Sequence, residues 1–239
     1  MATSRDFILI TTTLMLITVC ANTHLIDNYQ KSPERMHVHI AALQVFKSSV
    51  THDPSQALAN WDVANHVCNW TGVTCHPKKL RVSGLNLYNM SIQGTIPPHL
   101  GNVSFLGVLN LANNSFSGTI PKELGKLSRL KGLLLTKNKL ISSIPEALKN
   151  CTSLRLLYLY SNNLTGSIPS GLGQLQNLRN LSLHTTRLTG KVPESLGNCS
   201  AMEFLDLGSN FLTGTIPSQL GLLTRIQLLS VENHNSNCA

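Results

Sequence analysis

"LRLLYLYSNNLTGSIP", Leu154–Pro169, alternates leucines with other residues, then passes through asparagine and glycine to a proline. Alternation over a few residues is the pattern of a short strand with one face turned inward. The stretch returns every 24 residues without a gap. Its block starts are Val82, Leu106, Leu130, Leu154, Leu178, Met202 and Ile226, and three positions on stand Leu85, Leu109, Leu133, Leu157, Leu181, Leu205 and Leu229. Two further on come Leu87, Leu111, Leu135, Leu159, Leu183, Leu207 and Val231, and prolines 97, 121, 145, 169, 193 and 217 keep the same step. A period of this length predicts a solenoid, because one turn cannot bury its own leucines and stacking does.

Within each turn other columns predict the bends. Asn114, Asn138, Asn162 and Asn210 share one column, where a carboxamide can bond the backbone of its own and the neighbouring turn. Met90, Thr186 and His234 interrupt that column. Glycines 94, 118, 166, 190 and 214 predict positive φ or close backbone approach, with Ser142 the departure. The prolines, lacking a donor, predict an exposed edge on the far side of the coil.

The pattern L-x-x-L-x-L-x-x-N-x-L-t-G-x-I-P resembles the plant-specific class of leucine-rich repeat. The resemblance implies an α/β solenoid of six full repeats and a partial seventh over residues 82–239. Before it, residues 22–81 read as a cap. "HVHIAALQVFKSSV" places Ile40, Leu43, Phe46 and Val50 at helical spacing, and Asp53-Pro54 is a helix-start signal. His37 and His39 read as solvated residues ahead of that helix. In "CNWTGVTC", Cys68 and Cys75 predict a small disulfide loop. Zinc is the competing reading, but the spacing is not C-x2-C and no second pair follows. The whole unit looks like the N-terminal cap of plant leucine-rich receptor kinases.

Residues 1–21 read as a secretory signal: Arg5, an apolar run from Phe7 to Val19, then small residues around Ala21. No later stretch of sequence is apolar enough to span a bilayer. Export suits the N-x-S/T triplets at Asn69, Asn89, Asn102, Asn113, Asn150, Asn163, Asn180 and Asn198, which are candidate glycosylation sites. Cys151 and Cys199 share an inward column two turns apart, about 9–10 Å by strand spacing, too far for a bridge. They are expected as buried free thiols, leaving Cys238 unassigned.

Charged residues are 13% and aromatic residues 5% of the chain, and the net charge is +8. The cations are scattered rather than interleaved with aromatics, which argues against nucleic-acid binding. No hydrolase, metalloprotease, Walker or kinase motif is present, so neither a catalytic site nor a metal or cofactor is expected. What remains is a surface. If the repeat leucines point inward, the residues between them face outward along one concave side. Tyr88, Leu156, Tyr158, Tyr160, His184, Phe204 and Asp206 fall there, and exposed aromatics with a polar handle favour recognition.

The resemblance to receptor-kinase ectodomains, closest to receptors of microbial peptides, implies a non-enzymatic extracellular module. It would bind a peptide or protein in immune or developmental signalling, with a membrane receptor kinase or co-receptor as partner. With neither a span nor a kinase in the sequence, the chain reads as a truncated ectodomain. A second resemblance is to polygalacturonase-inhibiting proteins, secreted inhibitors of cell-wall-degrading enzymes, although Cys238 does not match their C-terminal disulfide cap.

Overall fold

A computed structural model describes residues 36–78 and 81–232. The expected leader at 1–21 and Cys238 lie outside this range. Among the described residues, the predicted strands form one ladder in chain order: Val82–Asn86, Val108–Asn110, Gly132–Leu134, Leu156–Tyr158, Asn180–Ser182, Phe204–Asp206 and Leu228–Ser230. They are parallel, and partners are one repeat apart, as Leu133 with Leu157 and Leu157 with Leu181. The second and third leucines of each repeat are fully buried from Leu85 to Leu207. At the last turn Leu229, in the same column as Leu205, is 44% exposed because nothing described lies beyond it.

The asparagine column is a hydrogen-bonded spine. Asn162 donates to the carbonyls of Leu135 in the preceding turn and Leu159 in its own, each at 2.9 Å, and accepts from the Leu140 N–H at 3.0 Å. Asn138 and Asn210 repeat this arrangement. Buried backbone groups that the bend would leave unpaired are thereby satisfied. At the interruption, the shorter Thr186 reaches only the Leu183 carbonyl of its own turn and the Asn210 Oδ1 of the next.

After the spine the chain forms a second, shorter parallel sheet from Gln93–Thr95, Ser115–Thr119, Lys139–Ser142 and Asn163–Leu164. Gly118 holds φ at +77°, and Ser142, the departure in that column, is held at +70° all the same. The prolines correct the sequence reading. Pro97, Pro121 and Pro169 are buried, and every proline of the column stands just before a five-residue 3-10 helix with φ between −61° and −77°. Its fixed φ suits the helix start, where the missing N–H costs no bond. Leu100, Leu124, Leu148, Leu172 and Leu196 then turn inward and close the core.

The cap closes the first turn with one antiparallel strand on each sheet. Val73–Cys75 pairs with Val82–Asn86, and Val50–His52 pairs with Gln93–Thr95. Between them the cap helix, 36–48, sends Leu43 and Phe46 into the core, where the Phe46 ring lies 5.7 Å from Phe116 and 5.9 Å from Trp61. Trp61 stacks on Trp70 at 5.3 Å, and the two indole N–H groups donate to the Thr71 and Asp62 carbonyls. Cys68 and Cys75 are bonded, and Cys151 and Cys199 are free and buried.

Three expectations for the cap fail. Val50 leaves the helix for a strand. No helix starts at Asp53: its carboxylate accepts from the Ala57 and Leu58 N–H groups at 3.0 and 2.8 Å, but Gln56 adopts φ +52° and the chain continues in turns. His37 and His39 lie inside the helix rather than ahead of it; His37 is exposed as expected, but His39 is only 1% exposed. Among the described residues no helix is long and apolar enough to cross a membrane.

Candidate functional site

The parallel register brings Leu156, Asn180 and Phe204 into one row and Tyr158, Ser182 and Asp206 into the next. Their backbones are locked in the sheet, so the outward side chains are held one strand apart, about 4.8 Å. The tyrosines are less exposed than alternation suggests, because they pack on one another's neighbours. Tyr158 Oη accepts a hydrogen bond from Asn180 Nδ2 at 2.9 Å. Tyr160 stacks on the His184 ring, centroids 4.3 Å apart and planes within 15°. His184 Nε2 in turn lies 3.9 Å from Asp206 Oδ2, and its Nδ1 is 2.9 Å from Thr185 Oγ1.

Leu156, Tyr158, Tyr160, His184, Phe204 and Asp206 thus form one half-buried mosaic over the middle and later turns. Tyr88 does not join it. It is 55% exposed and stands three turns from Tyr160, about 14 Å at that spacing. An aromatic face, a phenol, an imidazole and a carboxylate held in this way can bind by stacking and hydrogen bonding, with little side-chain entropy left to lose.

Asn180 belongs to the mosaic and is half-buried, as is Asn113, whose carboxamide donates to Asn89 Oδ1. Asn69, Asn89, Asn102, Asn150, Asn163 and Asn198 are exposed. Asn102, Asn150 and Asn198 end 3-10 helices in alternate turns, away from the mosaic.

A second feature, at the edge of the long strand ladder, was missed in the sequence. Arg129 stacks over the Phe105 ring at 4.3 Å, His76 meets that ring edge-on at 5.5 Å, and a pocket of about 400 Å³ opens between His76, Phe105, Arg129 and Lys131. The available signal was that Phe105 and Arg129 stand one repeat apart, in the same column.

The leucine-rich repeat N-terminal domain pattern matches residues 40–76, and the leucine-rich repeat pattern matches residues 105–127, 153–175, 177–199 and 201–223. A probable leucine-rich-repeat receptor-like serine/threonine-protein kinase from Arabidopsis thaliana is 46% identical over 65 residues, 27% of this chain but only 6% of that protein. The Arabidopsis receptor kinase HAESA, solved in complex with the peptide hormone IDA and the co-receptor SERK1, superimposes with a TM-score of 0.74. It is 34% identical, and the match covers 81% of this chain and 33% of that one. A chain from the Arabidopsis BIR3–SERK2 complex is 38% identical with a TM-score of 0.64, matched over 74% of this chain and 96% of its own length. With a cap and repeats that match in sequence and superimpose in structure, the chain belongs to the plant leucine-rich repeat family, and its fold is that of the ectodomains of plant leucine-rich repeat receptor kinases.

Proposed function

We propose that the chain is a non-enzymatic extracellular recognition module that captures a peptide or protein on its concave face. The observation that carries this reading is the interlocked mosaic of Tyr158 with Asn180 and of Tyr160 with His184 and Asp206, a polar and aromatic surface held on a rigid sheet. The peptide-bound HAESA neighbour supports a peptide ligand, and the co-receptor in that complex supports a membrane receptor kinase or co-receptor as partner. Export through a cleaved leader at 1–21, glycosylation at the exposed sequons, and a role in immune or developmental signalling belong to the same reading. So does the division into a cap over 22–81 and a solenoid from 82.

Selection of randomised displayed peptides on the intact chain tests it. Peptides are expected to enrich, and Tyr160→Ser with Phe204→Ser is expected to weaken them about tenfold or more while the fold is retained. Failure to enrich any peptide, or enriched peptides indifferent to both changes, would overturn the reading.

A further inference from the structure

The concave side reverses its charge along the solenoid axis. No Asp or Glu occurs between Asp62 and Glu123, and Glu123, Glu146 and Glu194 all sit in the 3-10 helices of the opposite flank. On the concave edge Lys131 and Arg155 occupy successive turns, tied by the Arg155 N–H donating to the Lys131 carbonyl at 2.8 Å. Both are exposed, and neither forms an ion pair among the described residues. Arg129, over Phe105, adds a third cation, and Lys137 adds a fourth on the other rim of the Lys131 turn. Farther along the axis the sign changes. Arg179 is paired with Glu203 at 3.2 Å, and Asp206 and Glu232 follow on the groove side. Arg225, on the outer edge of that end, offsets part of their charge.

We infer that this face takes an extended peptide of two-ended charge, its acidic residues over Lys131 and Arg155 and a basic residue over Asp206 and Glu232. The inference rests on the peptide-recognition reading and names the ligand's chemistry. Along the solenoid axis Asp206 is three turns from Lys131 and Glu232 is four, about 14–19 Å of axial rise, which about four to six extended residues cross. The mosaic of Tyr158, Tyr160, His184 and Phe204 lies between the poles and would meet the intervening side chains. A uniform polyanion fits less well, because its far end would run onto Glu203, Asp206 and Glu232. Complementary charge of this kind fixes direction and raises the association rate more than it adds affinity.

The test uses peptides selected on the intact chain by display. An acidic residue is expected about four to six positions from a basic one, with Lys131→Glu plus Arg155→Glu weakening such peptides about tenfold at low salt. Exchanging the acidic residue of the peptide for lysine is expected to restore binding to that variant. Selected peptides that depend on Tyr160 and Phe204 but lack the pattern, or ignore the charge reversal, would overturn the inference and leave peptide recognition standing. Equal capture of oligogalacturonate, an anion with no basic group, would also overturn it. Absence of any selected peptide would remove both readings.

Discussion

Lys149 and Gly171 face each other across adjacent turns with their residue sizes exchanged relative to the rest of the stack. Elsewhere in that column a glycine lies against a larger residue of the next turn: Gly101 against Glu123, Gly125 against Ala147, Gly173 against Ser195 and Gly197 against Gln219. A Cβ on any of these four would meet the opposing carbonyl oxygen at 2.2–2.3 Å. Where the column holds Lys149, the opposing residue is Gly171, and a Cβ there would meet the Lys149 Cδ at 2.8 Å and the Glu146 Oε1 at 2.2 Å.

The exchange predicts an asymmetry between two glycines. Gly173→Ala pushes against backbone and should destabilise by about 2–3 kcal/mol, the upper part of the range for overpacking. Gly171→Ala meets flexible side-chain ends and should cost less, about 1 kcal/mol. Combined with Lys149→Ala it should cost less still. Equal losses for the two glycines in urea melts would contradict this account.

The spine makes a second prediction. Asn162→Ala removes the bonds donated to the Leu135 and Leu159 carbonyls, a longer one to Tyr160 and the bond accepted from Leu140, and should destabilise by about 2–4 kcal/mol. Thr186→Asn should extend the carboxamide spine through the interrupted turn and stabilise by about 1 kcal/mol, raising Tm by roughly 2–4 °C. A fall in Tm for Thr186→Asn would show that the Thr186 hydroxyl is the better fit.

Acid should weaken the cap through His39. Burial first, then the nearby Arg81 charge, lowers its pKa from 6.5 to about 4. Its Nδ1 has no partner among the described residues. The unfolded chain therefore takes up a proton near pH 6.5 while the folded one resists, so the neutral histidine's contribution is present above pH 6.5 and lost as pH falls towards 4. At pH 5 the loss is about 2 kcal/mol. His39→Leu should flatten stability between pH 7 and 5, measured by denaturant titration at each pH. An unchanged slope would mean that the imidazole titrates normally.

Cys151 and Cys199 should be inert in the folded chain. Burial raises both thiols to about 11, and their Sγ atoms lie 3.3 and 3.4 Å from the Leu124 and Leu172 carbonyls. Alkylation followed by peptide mapping should label them only along the unfolding transition. Labelling at native conditions would place these two turns among the locally open parts of the chain.

The ladder, the asparagine spine and the inward cysteines were legible in the sequence because each repeats at one fixed step. The second sheet was not, since its strands, such as Asn163–Leu164, repeat at the same step but are too short and too polar to show the alternation of a strand. Asp53-Pro54 misled for a different reason. The Asp53 carboxylate does bind the following N–H groups, but the positive φ of Gln56 prevents a helix from growing on that cap. In the mosaic, alternation gave Tyr158 and Tyr160 their outward direction, while their half-burial depends on which residues the next turn sets beside them, Asn180 diagonally from Tyr158 and His184 one repeat from Tyr160.

Because neighbouring turns are related by a single step of the register, excising or duplicating one whole repeat would leave every ladder bond with a partner. A one-residue insertion would shear the stack. The length of the surface can therefore change only in quanta of one strand spacing. Lys149 and Gly171 limit where such a cut can fall, because a join that parts them would set Lys149 against a larger residue, or Gly171 against a glycine and leave a void.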